Sequence, residues 1–160
     1  GAAPCGVAVF DFDQTLTIRH VGVFEDLGQF CERSLGGAER LGMLKAMLAR
    51  LRALGVAIAL VTRNSRRVVQ QALERVGLLA FVEQGFIFGF EDYEDEVPKS
   101  RVMRERVLPQ LRLSERELLF ADDDAANIAD AKEHLPAARL LQCPRQGLRQ
   151  EDCEEIVAWG

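Results

Sequence analysis

The sequence has 160 residues, of which 48% are hydrophobic and 28% are charged, a balance typical of a globular protein. This length suits one domain that folds without a metal or a disulfide, and the composition excludes a disordered tail, a collagen-like fibre and a disulfide-stapled mini-protein. The longest apolar run, residues 53–61, is too short to span a membrane, and the net charge of -5 argues against a surface that tracks nucleic acid.

Five short apolar runs predict strands, because they are rich in β-branched and aromatic residues and are too short for helices. They cover residues 7–10, 56–61, 86–88, 118–121 and 139–142. Five longer segments predict helices, most clearly where apolar residues recur at threes and fours. These cover residues 38–54, 65–76, 98–111, 124–135 and 150–159. Pro98 is expected at the first helical position, and residues 17–37 are expected to form turns with one short helix at 24–33.

Strands that alternate with helices predict an α/β fold, namely a doubly wound, Rossmann-like three-layer sandwich with a five-stranded, mainly parallel sheet. In such a sheet, ligands bind outside the carboxyl ends of the strands. Polar side chains follow three strands at that edge. They are Asp11 and Asp13 after the first strand, Thr62 after the second, and Asp122 and Asp123 after the fourth. We therefore expect one site at this edge of the sheet.

The clustered carboxylates point to a divalent cation, because a cation removes the repulsion between them. Mg²⁺ prefers oxygen ligands and commonly binds one or two protein carboxylates together with waters and a phosphate. A carboxylate beside Mg²⁺ and a phosphate can attack phosphorus and form an aspartyl-phosphate. Lys99, one of three lysines among 20 basic residues, follows an acidic segment and a proline near the same edge. We expect its ammonium group to neutralise both the nucleophile and the phosphate.

Four segments, in this order along the chain, resemble the motifs of the haloacid dehalogenase-like (HAD) hydrolase superfamily. They are the D-x-D-x-T pattern of residues 11–15, the apolar strand that ends at Thr62, the lone Lys99, and the D-D-x-x-x-N pattern of residues 122–127. The resemblance extends over residues 7–142. It implies a small, capless, Mg²⁺-dependent phosphatase that hydrolyses phosphomonoesters.

The resemblance implies roles for the carboxylates. Asp11 is expected to be the nucleophile. Asp13 is expected to protonate the leaving oxygen and then to act as the base that activates water. Mg²⁺ is expected to bind the Asp11 carboxylate, the Asp13 backbone carbonyl and the Asp122 carboxylate. Asp123 is expected to be a further ligand or a partner of one.

The resemblance also implies a substrate-binding set. Thr62 is expected to hold the phosphate oxygens together with Lys99, and Thr15 to orient the loop of the first motif. Arg63 and Asn64, which follow Thr62, are further candidates for substrate binding, although Arg63 stands where small residues are common in the family. Asn64 or Ser65 is in addition the expected N-cap of the helix at 65–76.

Several polar residues keep two interpretations. Arg63, Arg66 and Arg67 either grip a distal phosphate or form an exposed helix start, and His20 either reaches the substrate from a flap or lies on a surface loop. Two residues of the fourth motif are assigned to structure. These are Asp124, expected to cap its helix, and Asn127, expected to orient Asp123 or a loop.

Two other functions compete with a phosphatase: a phospho-aspartate signalling module, and a non-catalytic phosphate-binding protein on the same fold. Receiver domains also use clustered aspartates, a Thr or Ser and a lysine. In a receiver, however, the acid pair follows the first strand and the lysine comes last. Here Asp122 and Asp123 come after Lys99.

The spacing of the motifs predicts one HAD-like domain over residues 1–160, with a flap or short cap-like insert at about 16–37 and a minimal cap or none. The resulting open cleft suits a phosphoprotein, or a phosphorylated small molecule if the second subunit of a homodimer covers the site. The four cysteines show no metal-binding or redox spacing, which favours free thiols in an intracellular, cytoplasmic protein.

Overall fold

In the computed structural model, the described residues, 3–22, 26–94 and 96–160, form one sheet of five parallel strands. The strands are β1 (Gly6–Phe10), β2 (Val56–Val61), β3 (Ile87–Phe88), β4 (Leu118–Asp122) and β5 (Arg139–Gln142). Their order across the sheet is β3-β2-β1-β4-β5, and all four pairings are parallel. The chain therefore has the predicted Rossmann-like α/β architecture.

Helices cover both faces of the sheet. They are α1 (Phe30–Ser34), α2 (Ala38–Ala53), α3 (Arg66–Arg75), α4 (Lys99–Val102), α5 (Leu108–Leu111), α6 (Ala125–His134) and α7 (Gln150–Trp159). A π-helical turn, Met103–Val107, joins α4 to α5. Short 3-10 turns lie at Leu27–Gln29, Leu79–Phe81, Phe90–Asp92 and Glu115–Glu117.

The side chains of the central strand alternate between two apolar layers, as they must when a strand is covered on both faces. Ala8 and Phe10 of β1 belong to one layer, and Val7 and Val9 belong to the other. All five residues of β1 are buried. The strand is thus held by apolar burial on both sides, which fixes the position of whatever follows it.

The register of the strands brings their carboxyl ends to one edge. Phe10 pairs with Leu60 of β2 and with Ala121 of β4. The residues that follow these positions, including Asp11 and Asp122, therefore lie side by side at the same edge of the sheet.

The predicted elements agree closely with the observed ones, and β2, β5 and α7 have the predicted bounds. Pro98 differs, because it is the N-cap residue of α4 rather than its first helical residue. The helix predicted at 24–33 differs too. Residues 23–25 lie outside the described residues, and the rest forms a 3-10 turn followed by α1, which ends at Ser34.

Two further findings bear on the setting of the protein. The four cysteines, Cys5, Cys31, Cys143 and Cys153, are free thiols. Within the described residues, no helix combines the length and the apolar character that a membrane span requires.

Candidate active site

Three charged side chains meet at the carboxyl edge of the sheet and are almost fully buried. Asp11 directly follows β1, Asp122 is the last residue of β4, and Lys99 is the first residue of α4. Asp11 is 7% exposed, Lys99 is 2% exposed and Asp122 is fully buried. The backbone N–H of Asp11 donates to the carbonyl of Ala121 at 3.1 Å, so the β1–β4 ladder extends to Asp11.

Lys99 connects the two carboxylates. Its Nζ lies 2.9 Å from Asp11 Oδ1 and 2.9 Å from Asp122 Oδ2. Burial raises the pKa of Asp11 to about 8, although Lys99 opposes this shift. Burial alone would lower the pKa of Lys99, but the charges of Asp11 and Asp122 raise it. When Asp11 and Asp122 are both ionised, they share one ammonium group, and the cluster then carries excess negative charge.

A third carboxylate extends the cluster towards solvent. One carboxylate oxygen from each of Asp11, Asp122 and Asp123 lies within 4.8 Å of the others. The hydroxyl of Thr15 lies 3.4 Å from both Asp11 Oδ2 and Asp123 Oδ1. Closely spaced carboxylate oxygens with excess negative charge are the donor set that a hard divalent cation requires. The residues present therefore fit a metal site.

The carboxylate of Asp122 is fixed by the start of α6. Its Oδ1 accepts the backbone N–H of Asp124 at 2.9 Å, and its Oδ2 accepts the Asn127 amide at 3.1 Å. Asn127 therefore contacts Asp122 rather than the expected Asp123. The Asp124 side chain accepts the Ala126 N–H at 2.8 Å, which is the cap expected for this helix.

Asp13 lies in a separate hydrogen-bonded group. Its Oδ1 accepts the backbone N–H of Val21 at 2.7 Å, and its Oδ2 accepts the Asn64 amide at 3.0 Å. The same amide donates to the Val21 carbonyl at 2.8 Å. Burial raises the pKa of Asp13, while the Val21 N–H and the Asn64 amide oppose this shift. A carboxyl group with a raised pKa suits acid catalysis.

His20 lies beside this group but is mostly in solvent. Its Nδ1 is 3.5 Å from Asp13 Oδ2, and its side chain is 74% exposed. Of the two interpretations of His20, the structure thus supports a surface position that still touches the candidate acid.

Thr62 follows β2 and is fully buried. Its hydroxyl accepts the backbone N–H of Asn64 at 3.0 Å, and its carbonyl accepts the hydroxyl of Tyr93. The guanidinium group of Arg63 lies over the Tyr93 ring, 5.1 Å from the ring centre. Tyr93 thereby connects the loop after β2 to the loop that precedes α4.

Residues 89–93 are bound tightly to the N-terminus of α3. Glu91 accepts hydrogen bonds from the hydroxyl of Ser65 at 2.7 Å and from the backbone N–H of Arg66 at 2.8 Å. The guanidinium group of Arg66 pairs with Asp92. A Cβ on Gly89 would lie 2.4 Å from the Arg66 nitrogen, so this close approach requires glycine. Arg66 thus has a protein partner in place of a distal phosphate.

The predicted site residues other than Arg63, which lies over the Tyr93 ring, fall into two groups. The structure brings Asp11, Asp122, Asp123, Lys99 and Thr15 into contact, and it places Asp13, Asn64 and Thr62 in a second, hydrogen-bonded group. The sequence analysis missed Val21, Tyr93 and Glu91 as partners. No local pattern marks them, because each contacts residues 8 to 43 positions away along the chain.

Comparison with known families identifies the family of this chain. The family model of haloacid dehalogenase-like hydrolases matches residues 38–134, more than half of the chain. The chain belongs to this family. The match includes Thr62, Lys99 and Asp122 of this HAD hydrolase. The first motif, residues 11–15, lies outside the match and is joined to the other motifs by the fold.

Solved structures share the fold of this HAD hydrolase at low sequence identity. One is the N-terminal part of BF1531 from Bacteroides fragilis, which contains a phosphatase domain complexed with Mg. It is 17% identical to this chain with a TM-score of 0.69, and the match covers 98% of this chain and 40% of that chain. The 3-deoxy-D-manno-octulosonate 8-phosphate phosphatase of Moraxella catarrhalis, in complex with magnesium, phosphate and KDO, is 14% identical with a TM-score of 0.59, covering 96% and 86%.

A third structure agrees with these two. The haloacid dehalogenase-like family hydrolase SP0104 from Streptococcus pneumoniae is 15% identical with a TM-score of 0.59, and the match covers 95% of this chain and 90% of that chain. The chain of this HAD hydrolase spans less than half of the Bacteroides fragilis chain. A comparison with curated protein sequences gave no match.

Proposed function

We propose that this HAD hydrolase is a Mg²⁺-dependent phosphomonoester hydrolase that works through an aspartyl-phosphate on Asp11. The observation that carries the proposal is the buried bridge from Lys99 to Asp11 and Asp122, with Asp13 held separately two residues after Asp11. Phosphoryl transfer needs positioning and charge neutralisation more than covalent chemistry from the protein, and these residues supply both.

In the first step, a carboxylate oxygen of Asp11 attacks phosphorus, and the bond from phosphorus to the leaving oxygen breaks. The electron pair of that bond stays on the leaving oxygen, which takes the proton of Asp13. Lys99 screens the Asp11 carboxylate from the incoming phosphate dianion, since its ammonium group lies 2.9 Å from Asp11. The products of this step are the free alcohol and a phosphorylated Asp11.

In the second step, Asp13 is a carboxylate and takes a proton from water. The water oxygen attacks phosphorus, and the bond from phosphorus to Asp11 breaks, which returns inorganic phosphate and the Asp11 carboxylate. Asp13 is suited to this double role because the N–H of Val21 and the amide of Asn64 hold its carboxyl group in one orientation.

The donor set described above fits a divalent cation. The carboxylates of Asp11, Asp122 and Asp123 would hold Mg²⁺ together with the backbone carbonyl of Asp13. When bound, Mg²⁺ supplies positive charge that offsets the excess of carboxylates and the charge of the phosphoryl oxygens. Two solved structures with the same fold contain bound magnesium, which supports this choice of ion.

We assign phosphate binding to Thr62 and Lys99, with Thr15 orienting the nucleophile and Arg63 at the edge of the site. The predicted role of Asn64 changes. Its amide nitrogen donates to Asp13 and Val21, and its amide oxygen accepts the N–H of Ser65 at 2.6 Å. Asn64 thus holds the acid and is not free to bind phosphate.

The proposed substrate classes rest on a site with little covering structure. We propose one domain over residues 1–160, in which residues 16–37 act as a flap; the described part of this flap contains only a 3-10 turn and the five-residue α1. An open cleft suits a phosphoprotein, or a phosphorylated small molecule if a homodimer partner closes the site. The sugar-phosphate phosphatase among the solved structures with this fold supports the second class.

The test is phosphate release from an aryl phosphate with Mg²⁺ and with excess chelator, while circular dichroism records the fold. We expect turnover to require Mg²⁺ and the fold to survive chelation, because a core of this size does not need the ion. Undiminished hydrolysis in excess EDTA would contradict the metal assignment. A screen over sugar phosphates, nucleotides, phosphoamino acids and phosphopeptides then assigns the substrate class.

The signalling alternative predicts a different time course. A signalling module keeps its phosphorylated aspartate. In a phosphatase, Asp13 should activate the water that hydrolyses the aspartyl-phosphate. We therefore expect many phosphates released per protein molecule. A single equivalent released or retained, with no further turnover, would favour the signalling module.

A further inference from the structure

The guanidinium group of Arg40 makes four hydrogen bonds to backbone carbonyls. Arg40 lies in the first turn of α2. Its Nη1 donates to the carbonyls of Leu16 at 2.5 Å and Leu35 at 3.1 Å. Its Nη2 donates to the carbonyls of Thr15 at 3.2 Å and Leu148 at 3.1 Å. One side chain therefore joins the loop after β1, the chain between α1 and α2, and the segment before α7.

The segment before α7, residues 143–149, also contacts the loop after β1 directly. The backbone N–H of Leu148 donates to the Thr15 carbonyl at 2.8 Å. The thiol of Cys143 lies 3.8 Å from the Thr15 hydroxyl. The carbonyl of Thr15 thus accepts two hydrogen bonds, from Arg40 and from Leu148, and both neighbours are distant in sequence.

Two glycines with left-handed backbone make room for the Arg40 side chain. Gly147 has φ +90°, and a Cβ there would lie 2.5 Å from both Arg40 Nη2 and the Thr15 carbonyl oxygen. Gly36 has φ +82°, and a Cβ there would lie 3.0 Å from Arg40 Cδ. Other residues rarely adopt such φ values, so the chain on both sides of Arg40 is shaped around it.

The bonding pattern uses the shape of arginine rather than its charge. Within the described residues, Arg40 has no ion pair, and its four acceptors are neutral carbonyls. A guanidinium group presents five N–H donors in a rigid plane, whereas a lysine ammonium has three donors on a flexible stem. Lysine therefore cannot reproduce this set of bonds.

Thr15 links Arg40 to the reacting groups. The carbonyl of Thr15 is held by Arg40, and its hydroxyl lies 3.4 Å from both Asp11 Oδ2 and Asp123 Oδ1. We propose that Arg40 is a positioning residue, which holds the loop after β1 so that Thr15 and Asp11 keep their catalytic geometry. The effect on turnover rests on the proposed phosphatase function.

The first test compares Arg40→Ala and Arg40→Lys with Arg52→Ala, whose parent residue lies on the same helix and forms an exposed ion pair with Glu83. We expect kcat of both Arg40 variants to fall by about tenfold to a hundredfold with little change in KM, because small displacements of reacting groups have effects of this size. Added guanidinium ion should restore much of the kcat of Arg40→Ala, and sodium at the same ionic strength should not. Arg52→Ala should match the parent.

The second test does not depend on turnover. Hydrogen exchange at the Thr17 and Leu148 amides, which donate to Phe12 and Thr15, should accelerate in Arg40→Lys, while exchange at the amides of β1 stays slow. Unchanged exchange and unchanged kcat in the Arg40 variants would overturn the proposal, as would full rescue of Arg40→Ala by sodium. If the parent protein releases no phosphate, the phosphatase proposal fails, and the exchange data alone decide whether Arg40 holds the loop.

Discussion

The two halves of the active site are held by different forces. The β1–β4 half consists of Asp11, Asp122 and Lys99, whose side chains are 9%, 0% and 2% exposed and are bound as ion pairs. The second half is built around Asp13, which follows β1, and Asn64, which follows β2. The Asp13 side chain is 15% exposed, and neutral hydrogen-bond donors hold it.

This difference assigns separate tasks to the two halves. Buried ions are costly unless they are paired, so the β1–β4 half is suited to binding a cation and a phosphate that complete its charge balance. A carboxyl group held by neutral donors can gain a proton without leaving a buried cation unpaired, and the same donors hydrogen-bond to it when it is charged. We therefore expect changes in the first half to affect metal and phosphate, and changes in the second to affect proton transfer.

The largest effect should come from Asp11. Asp11→Asn should lower kcat by about 10⁴-fold or more, because an amide is a poor nucleophile and a weaker metal ligand. The matched change in the other half, Asp13→Asn, should also lose most turnover but keep the Mg²⁺ affinity of the parent. Steady-state kinetics measures the turnover of both variants, and Mg²⁺ titration measures their metal affinity. Near-parental activity of either variant on an aryl phosphate would mean that its role is misassigned.

The second-largest effect on activity should come from Lys99. Lys99→Ala should lower kcat/KM by about a hundredfold to a thousandfold and weaken vanadate binding, because it leaves Asp11 and Asp122 buried without their cation. Lys99→Arg should rescue only part of this loss, since a planar fork replaces a compact ammonium group. kcat/KM and vanadate affinity measure both effects.

The other two lysines are the controls for Lys99. Lys45 lies in α2 and Lys132 lies in α6. Their alanine variants should match the parent, because neither residue contacts the carboxylate cluster among the described contacts. An unimpaired Lys99→Ala, or a damaged Lys45→Ala, would show that the third motif is misassigned.

Asn64 tests the proton-transfer half of the site. Its amide favours the charged form of Asp13 and so opposes the rise in the pKa of that group. Asn64→Ala should raise this pKa further. Asp13 must be protonated to donate to the leaving oxygen, so kcat/KM on an alkyl phosphate falls as pH rises through this pKa. The fall should move to higher pH in Asn64→Ala, and its rate at the optimum should drop by about tenfold. A pH profile identical to that of the parent would show that Asn64 has no role in proton transfer.

Asn127 is the matched residue in the β1–β4 half, since its amide donates to Asp122 at 3.1 Å. Asn127→Ala should weaken Mg²⁺ binding by about tenfold, because partners of metal ligands orient those ligands. The pH profile should keep its shape once Mg²⁺ is saturating. A shifted pH profile with unchanged Mg²⁺ affinity would reverse the assignment of the two halves.

The smallest effect concerns stability. The pKa of Asp11 is raised from 3.8 to about 8, so in this pH range the native state binds more protons than the unfolded state. The metal-free protein should therefore lose stability, measured as a fall in Tm, as pH rises from about 4 to about 8, and Mg²⁺ should reduce that loss. Asp11→Asn is the control and should show a weaker pH dependence. A Tm of the metal-free parent that rises over this range would contradict the account.

Much of the fold could be predicted, because apolar patterning and turn residues act locally. β2 and α7 have the predicted bounds, and Gly55, with φ +83°, follows α2 and its C-cap as a glycine should. Pro98 shows the limit of this reasoning. Both the N-cap and the first helical position accept proline, so a proline alone does not decide which of the two it occupies.

The candidate site was predicted in its charged half and only in part in its other half. Asp11, Lys99 and Asp122 stand at strand and helix ends that parallel topology brings together. Asn64 was assigned to substrate and to a helix cap, whereas its amide holds Asp13. That contact depends on how the segment carrying Val21 folds back, which no local pattern specifies.

Trapping the phosphoryl group on Asp11 is the most direct test of the proposed mechanism. The protein is mixed with substrate and Mg²⁺, quenched, and reduced with borohydride, which converts an aspartyl-phosphate to homoserine. Peptide mass spectrometry then locates the change. We expect homoserine at position 11 in the parent and in Asp13→Asn, and none without substrate. Turnover with homoserine at position 122 or 123, or at no position in either protein, would contradict a phosphoryl group on Asp11.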